Sequence, residues 1–141
     1  MLALAYVTLT ITKDNHLLLL QRSTARFYTN YYGLVSGKVE RNETPTQAAI
    51  REAHEEIGIV IKPQDIACIG IIYEKISPEK QLVGCSFLVH AWSGEAYNKE
   101  PEVHGQMVWA PLSKLPENIV PSHAHILEMQ DKKIFYSEFG W

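Results

Sequence analysis

The segment Thr44 to Gly58 constrains this chain more than any other, because both ends of a helix are written into it. Thr44 offers a hydroxyl acceptor to the open N–H groups of a helix start, and Pro45 suits the first helical position, where its missing N–H costs nothing. Gln47 completes a T-x-x-Q capping box, and Gly58 stands where a left-handed C-terminal cap is needed. The residues between are helix formers, so a helix from Pro45 to about Ile57 is predicted. Ala49, Ala53 and Ile57 recur every four residues and give it one apolar face fit for close docking. Glu52, Glu55 and Glu56 fall at i, i+3 and i+4, so three carboxylates share another face, with Cβ atoms about 5 to 6 Å apart. Such crowding is either a solvated face, at a few tenths of a kcal/mol per like-charged pair, or a cation site. Oxygen donors select hard ions, so Mg2+ is the expected guest, with Mn2+ as the alternative and zinc disfavoured. Arg51 adjoins the cluster, within reach of Glu43 in the preceding loop, and that pair would fix loop to helix.

Around this helix the pattern is strand-rich. Residues 3 to 12 are β-branched and apolar, Lys13-Asp14-Asn15 makes a turn, and His16 to Gln21 resumes the apolar run as the second arm of a hairpin. A loop from Ser23 to Tyr32, with Phe27, Tyr28, Tyr31 and Tyr32, leads to a short strand at Gly33 to Val35. Ile66 to Tyr73 and Leu82 to Trp92 read as long strands, Met107 to Trp109 as a short one, and Ser122 to Asp131 as a closing helix. The expected class is α+β (mixed α/β), with helices packed on a mixed sheet in one domain over 1–141.

Composition narrows the function. Apolar residues at 46% and charged residues at 21% support a core rather than disorder. A formal charge of -3 supplies no field to gather duplex nucleic acid, so bulk nucleic-acid binding is not expected. Cys68 and Cys85 lack C-x-x-C spacing and read as reduced, mostly buried thiols. The start, with its alternating threonines, suits a strand better than a signal peptide, and no run approaches the ~18 apolar residues of a membrane span. A cytoplasmic protein is expected.

From Gly37 the chain reads GKVERNETPTQAAIREAHEEIGI. This resembles the box of the Nudix hydrolases, with Gly37, Glu43, Arg51, Glu52, Glu55, Glu56 and Gly58 at the fixed places and Ala53 and Ile59 at the apolar ones. At roughly 7% per fixed residue, a chance match at a given start has odds on the order of one in 10^8. Ser36 stands where family members commonly carry the first of two glycines.

The resemblance implies a Nudix-like α/β/α sandwich and metal-dependent hydrolysis of a diphosphate linkage in a small nucleotide-like substrate. It further implies that Glu52, Glu55, Glu56 and the Gly37 carbonyl hold the metal, and that Arg51 and Glu43 belong to the catalytic apparatus. The general base would be Glu55 or Glu52, with Glu100 in the later acidic loop also open and Glu102 its competitor. Arg22, at the end of the second strand, looks like the family's phosphate-approaching arginine. Asn118 resembles a polar residue that reads the nucleobase in some relatives, although a turn role before Pro121 is the stronger expectation. Tyr28 and its aromatic neighbours either stack on a base or pack over the sheet, packing being favoured by the area they bury. The histidines form no H-x-x-x-H pair and are expected at the surface. A catalytically silent nucleotide sensor and an RNA-cap hydrolase are the competing functions; the retained carboxylates oppose the first, the lack of a basic patch the second.

Overall fold

The computed structural model describes residues 3–24 and 27–141; Ala25 and Arg26 of the expected aromatic loop, and Met1 and Leu2, lie outside them. Strand β1 (Leu4–Thr10) leads through β2 (Thr12–Lys13) and a turn into β3 (His16–Arg22). Asp14 and Asn15 both take positive φ there, as a tight hairpin requires. Short strands β4 (Tyr32–Gly33) and β5 (Val35–Lys38) precede helix α1 (Pro45–Ile57). Then come β6 (Ile66–Ser77), β7 (Lys80–Val89), β8 (His104–Pro111), helix α2 (Pro121–Asp131) and β9 (Tyr136–Phe139).

The caps of α1 form as the sequence dictates. Gln47 N donates to Thr44 Oγ1 at 3.1 Å and Thr44 N donates to Gln47 Oε1 at 2.9 Å. Gly58 closes the helix at φ 73°, donating its N–H to His54 O.

Five strands make a mixed sheet in the order β5-β1-β7-β6-β9, parallel at β1–β7 and β6–β9. β2, β3 and β4 form a second sheet, with β8 antiparallel to β3. Period-two alternation divides the core. Val7, Leu9, Leu18 and Leu20 pack with Ala48, Ala49, Ala53 and Ile57 of α1, whereas Leu17, Leu19 and Ile72 pack with Ile126 and Met129 of α2. Helices thus cover opposite faces, the α/β/α sandwich that the box implied.

Several expectations need correction. Strand β9 was not anticipated, and β6 and β8 run longer than the patterns suggested, while β7 stops at Val89. Cys68 is exposed, beside an irregularity in the β6–β7 pairing, and Cys85 is half-buried, so the thiols are free but not mostly interior. His123 is buried and His104 largely covered, so the histidines are not all surface residues. Among the described residues no helix is long and apolar enough to cross a membrane.

Candidate active site

Strand β5 runs beside β1, with Gly37 opposite Val7, and α1 packs across both. A β-carbon on Gly37 would fall on the carboxyl group of Glu52, so the glycine leaves open the space that this carboxylate occupies.

Arg51 organises the acidic face. Its Nε and Nη2 donate to the two carboxylate oxygens of Glu43 at 2.7 and 3.0 Å, and Nη2 also donates to Lys38 O at 3.0 Å. Its Nη1 donates to Glu52 Oε1 at 2.8 Å and to Glu55 Oε2 at 3.1 Å. The forked pair with Glu43 ties the loop to the helix, as expected, and its hydrogen bond holds the Glu43 carboxyl below the usual carboxylate range. Glu55 is the solvent-facing member of the triplet. Burial first, and then the charge of Glu56, push the Glu52 carboxyl up to about 7 against the opposing bonds from Arg51.

Glu56 points the other way, into the protein. Its Oε2 accepts the Ser36 N–H at 3.2 Å and its Oε1 lies 3.4 Å from His104 Nε2. Burial raises its pKa, opposed by the His104 and Ser36 contacts. Glu100 completes a group with these two in which one donor atom of each residue lies within 4.8 Å of the others. Among the described residues this is the cluster with the spacing to hold a metal ion; Glu52 and Glu55 are drawn instead to Arg51. Glu102 is exposed, and Glu100 is half-buried and turned toward Glu56.

Beside Glu56 opens a cavity of about 270 Å³ lined by Arg22, Gly33, Leu34, Ser36, His104 and His123, among others. Arg22, at the end of β3, is one of its walls. His123 forms part of the wall, and the Leu34 N–H donates to its Nδ1 at 3.0 Å, which places the ring proton on Nε2. Burial, and then the charge of Arg22, depress its pKa to about 4, so the ring stays neutral near pH 7. A β-carbon at Gly33 would stand 2.9 Å from His123 Nδ1, so that glycine admits the imidazole.

The other substrate candidates lie outside this cavity. Tyr28 is exposed, at positive φ, and its ring meets Tyr31 at 5.3 Å. Asn118 donates from Nδ2 to Asn30 O at 3.1 Å and accepts the Tyr32 N–H on its backbone carbonyl, so it latches the loop before β4 to the segment before α2. His104 and His123 were missed because no local spacing marks them. The bond that orients His123 joins residues 89 positions apart.

Fold and box together define a Nudix-type pyrophosphohydrolase. The family model described as the NUDIX domain matches residues 1–130, and the chain belongs to that family. It is 32% identical over 91 residues to the 8-oxo-dGTP diphosphatase of Escherichia coli strain K12, spanning 62% of this chain and 66% of that relative. It is 28% identical over 121 residues to the CTP pyrophosphohydrolase of the same strain, covering 84% of each. The crystal structure of a MutT NUDIX hydrolase from Burkholderia pseudomallei superposes with a TM-score of 0.81 at 27% identity, over 91% of this chain and 98% of that one.

Proposed function

We propose that this protein hydrolyses the diphosphate linkage of a nucleoside triphosphate, releasing nucleoside monophosphate and pyrophosphate with a divalent ion, Mg2+ or Mn2+, as cofactor. The observation that carries this is the juxtaposition of the cavity with the acidic helix: Arg22 and His123 line the same cavity as Glu56. Its volume lies near the lower end for small-molecule sites, roughly 300 Å³, and suits a nucleoside better than a polymer. Arg22 supplies positive charge for phosphate oxygens, and the Nε2–H of His123 is a donor available to a base or sugar acceptor.

The donor set fits a divalent ion. Glu56, Glu100 and His104 gather their ligand atoms, and the same helix offers Glu52, whose carboxyl group lies against Gly37, and Glu55. When bound, the ion neutralises the diphosphate and lowers the pKa of the attacking water. The residues do the rest. The water oxygen forms a bond to one phosphorus while the bridging P–O bond breaks, and a carboxylate takes the water proton. Glu52 suits that role, because it lies next to Glu56 and Arg51 Nη1 orients its carboxylate. Arg51, held by Glu43, keeps Glu52 in place. A cytoplasmic setting accords with the free thiols.

A panel of nucleoside triphosphates including 8-oxo-dGTP and CTP, with nucleotide sugars and ADP-ribose, incubated with Mg2+, tests this. Pyrophosphate with nucleoside monophosphate is expected from at least one triphosphate; turnover confined to the sugars or ADP-ribose, or none at all, overturns it.

A further inference from the structure

We infer that His104 is a nitrogen ligand of the divalent-cation site, forming with Glu56 and Glu100 a mixed donor set that favours transition ions such as Mn2+ over Mg2+. This rests on the proposed metal-dependent function and specifies its metal centre. Neither the box nor the acidic triplet contains this residue, and its place follows from the fold. Val103 N and His104 N both donate to Glu100 O at 2.9 Å, so a tight turn presents the Glu100 and His104 side chains together. His104 then enters β8 opposite Arg22 of β3, on the rung where the proposed phosphate contact sits.

The geometry at Glu56 is directional. One oxygen is occupied by the Ser36 N–H, which leaves Oε1 facing His104 Nε2 at 3.4 Å, with the imidazole side chain only 12% exposed. On the far side of the ring, His104 Nδ1 is buried without a partner, and so is Asn98 Oδ1. The two residues are already joined, because Asn98 Nδ2 donates to His104 O at 2.9 Å. With its proton on Nδ1, the ring leaves the Nε2 lone pair, which already faces Glu56 Oε1, for a metal. Mg2+ strongly prefers oxygen donors and keeps its waters, whereas imidazole suits transition ions.

Pulsed electron paramagnetic resonance of Mn2+ bound to the full chain decides the matter. Nitrogen-14 coupling from directly bound imidazole is expected. It should change to nitrogen-15 coupling on histidine-selective labelling, and vanish in His104→Gln. By calorimetry the same variant should lose about 10- to 100-fold in Mn2+ affinity, and proportionately less in Mg2+ affinity. Mn2+ that binds without nitrogen coupling overturns the ligand assignment, and hydrolysis of the nucleotide panel then leaves the proposed function standing. Nitrogen coupling with no hydrolysis gives the converse. Wild-type protein that shows no histidine coupling already overturns the assignment, so poor folding of the variant does not rescue the idea.

Discussion

The carboxyl group of Glu52 occupies the space that a β-carbon of Gly37 would fill. The glycine therefore leaves the room in which that carboxylate sits. Gly37→Ala should displace Glu52 by an ångström or so, enough to cost about 10^2-fold in turnover. The caps of α1 remain intact, so near-native far-UV circular dichroism is expected with the loss. Undiminished kcat in the alanine variant would show that the close approach is not needed.

Arg51 is the second point of control. Its fork grips both oxygens of Glu43 while Nη1 serves Glu52 and Glu55, a geometry that a lysine ammonium does not reproduce. Arg51→Lys is expected to lower kcat about 10- to 100-fold, as the loss of an orienting partner commonly does. A double-mutant cycle of Arg51→Ala and Glu43→Ala, read by urea unfolding, should give a coupling of about 0.5 to 3 kcal/mol. Additive effects would mean that the loop is held by something else.

The raised pKa of Glu52 makes metal binding pH-dependent. Between 4.5 and about 7 the native carboxyl retains a proton that an unfolded one has lost. The metal-free native state therefore binds more protons through this window, and this group's contribution to stability falls as pH rises across it. A cation held beside it by Glu56 favours the charged form and so expels that proton. Mg2+ affinity should climb by up to about tenfold per pH unit below 7 and level off above it. Calorimetry at pH 6 in buffers of different ionisation enthalpy should report proton release that Glu52→Gln diminishes; heats independent of buffer would refute it.

What was legible in the sequence was what is local. The caps of α1 involve Thr44, Gln47 and Gly58 within one short segment, and the Arg51–Glu43 pair spans eight positions, so reach and spacing sufficed to find them. Strand β9 was hidden because it is short and owes its place to β6, some distance back in the chain, with Ile71 opposite Tyr136. Asn118 drew attention by type, but its bond to Asn30 is a tertiary latch. Glu55 and Glu56 look equivalent as neighbours on a helix, yet one faces solvent and the other is buried against Ser36. No spacing rule carries that distinction, because it depends on which loop covers the helix end.

His123 offers the most direct test of the cavity wall. Its native pKa of about 4, against 6.5 for a free histidine, means that the unfolded chain binds more protons between those values. Stability from this group is present above about 6.5 and is lost as pH falls toward 4, worth up to about 3 kcal/mol. That slope opposes the one from Glu52, so the two partly offset each other in metal-free protein. His123→Leu removes the titrating ring and leaves the Leu34 N–H without its acceptor, which costs about 1 to 3 kcal/mol at pH 7. Its melting temperature should then fall at pH 7 and vary less with acidification between 6.5 and 4.5 than that of wild type. If Nε2–H contacts the substrate, KM for the preferred nucleotide rises more than kcat falls. A variant with wild-type KM and an unchanged pH slope would remove His123 from both roles.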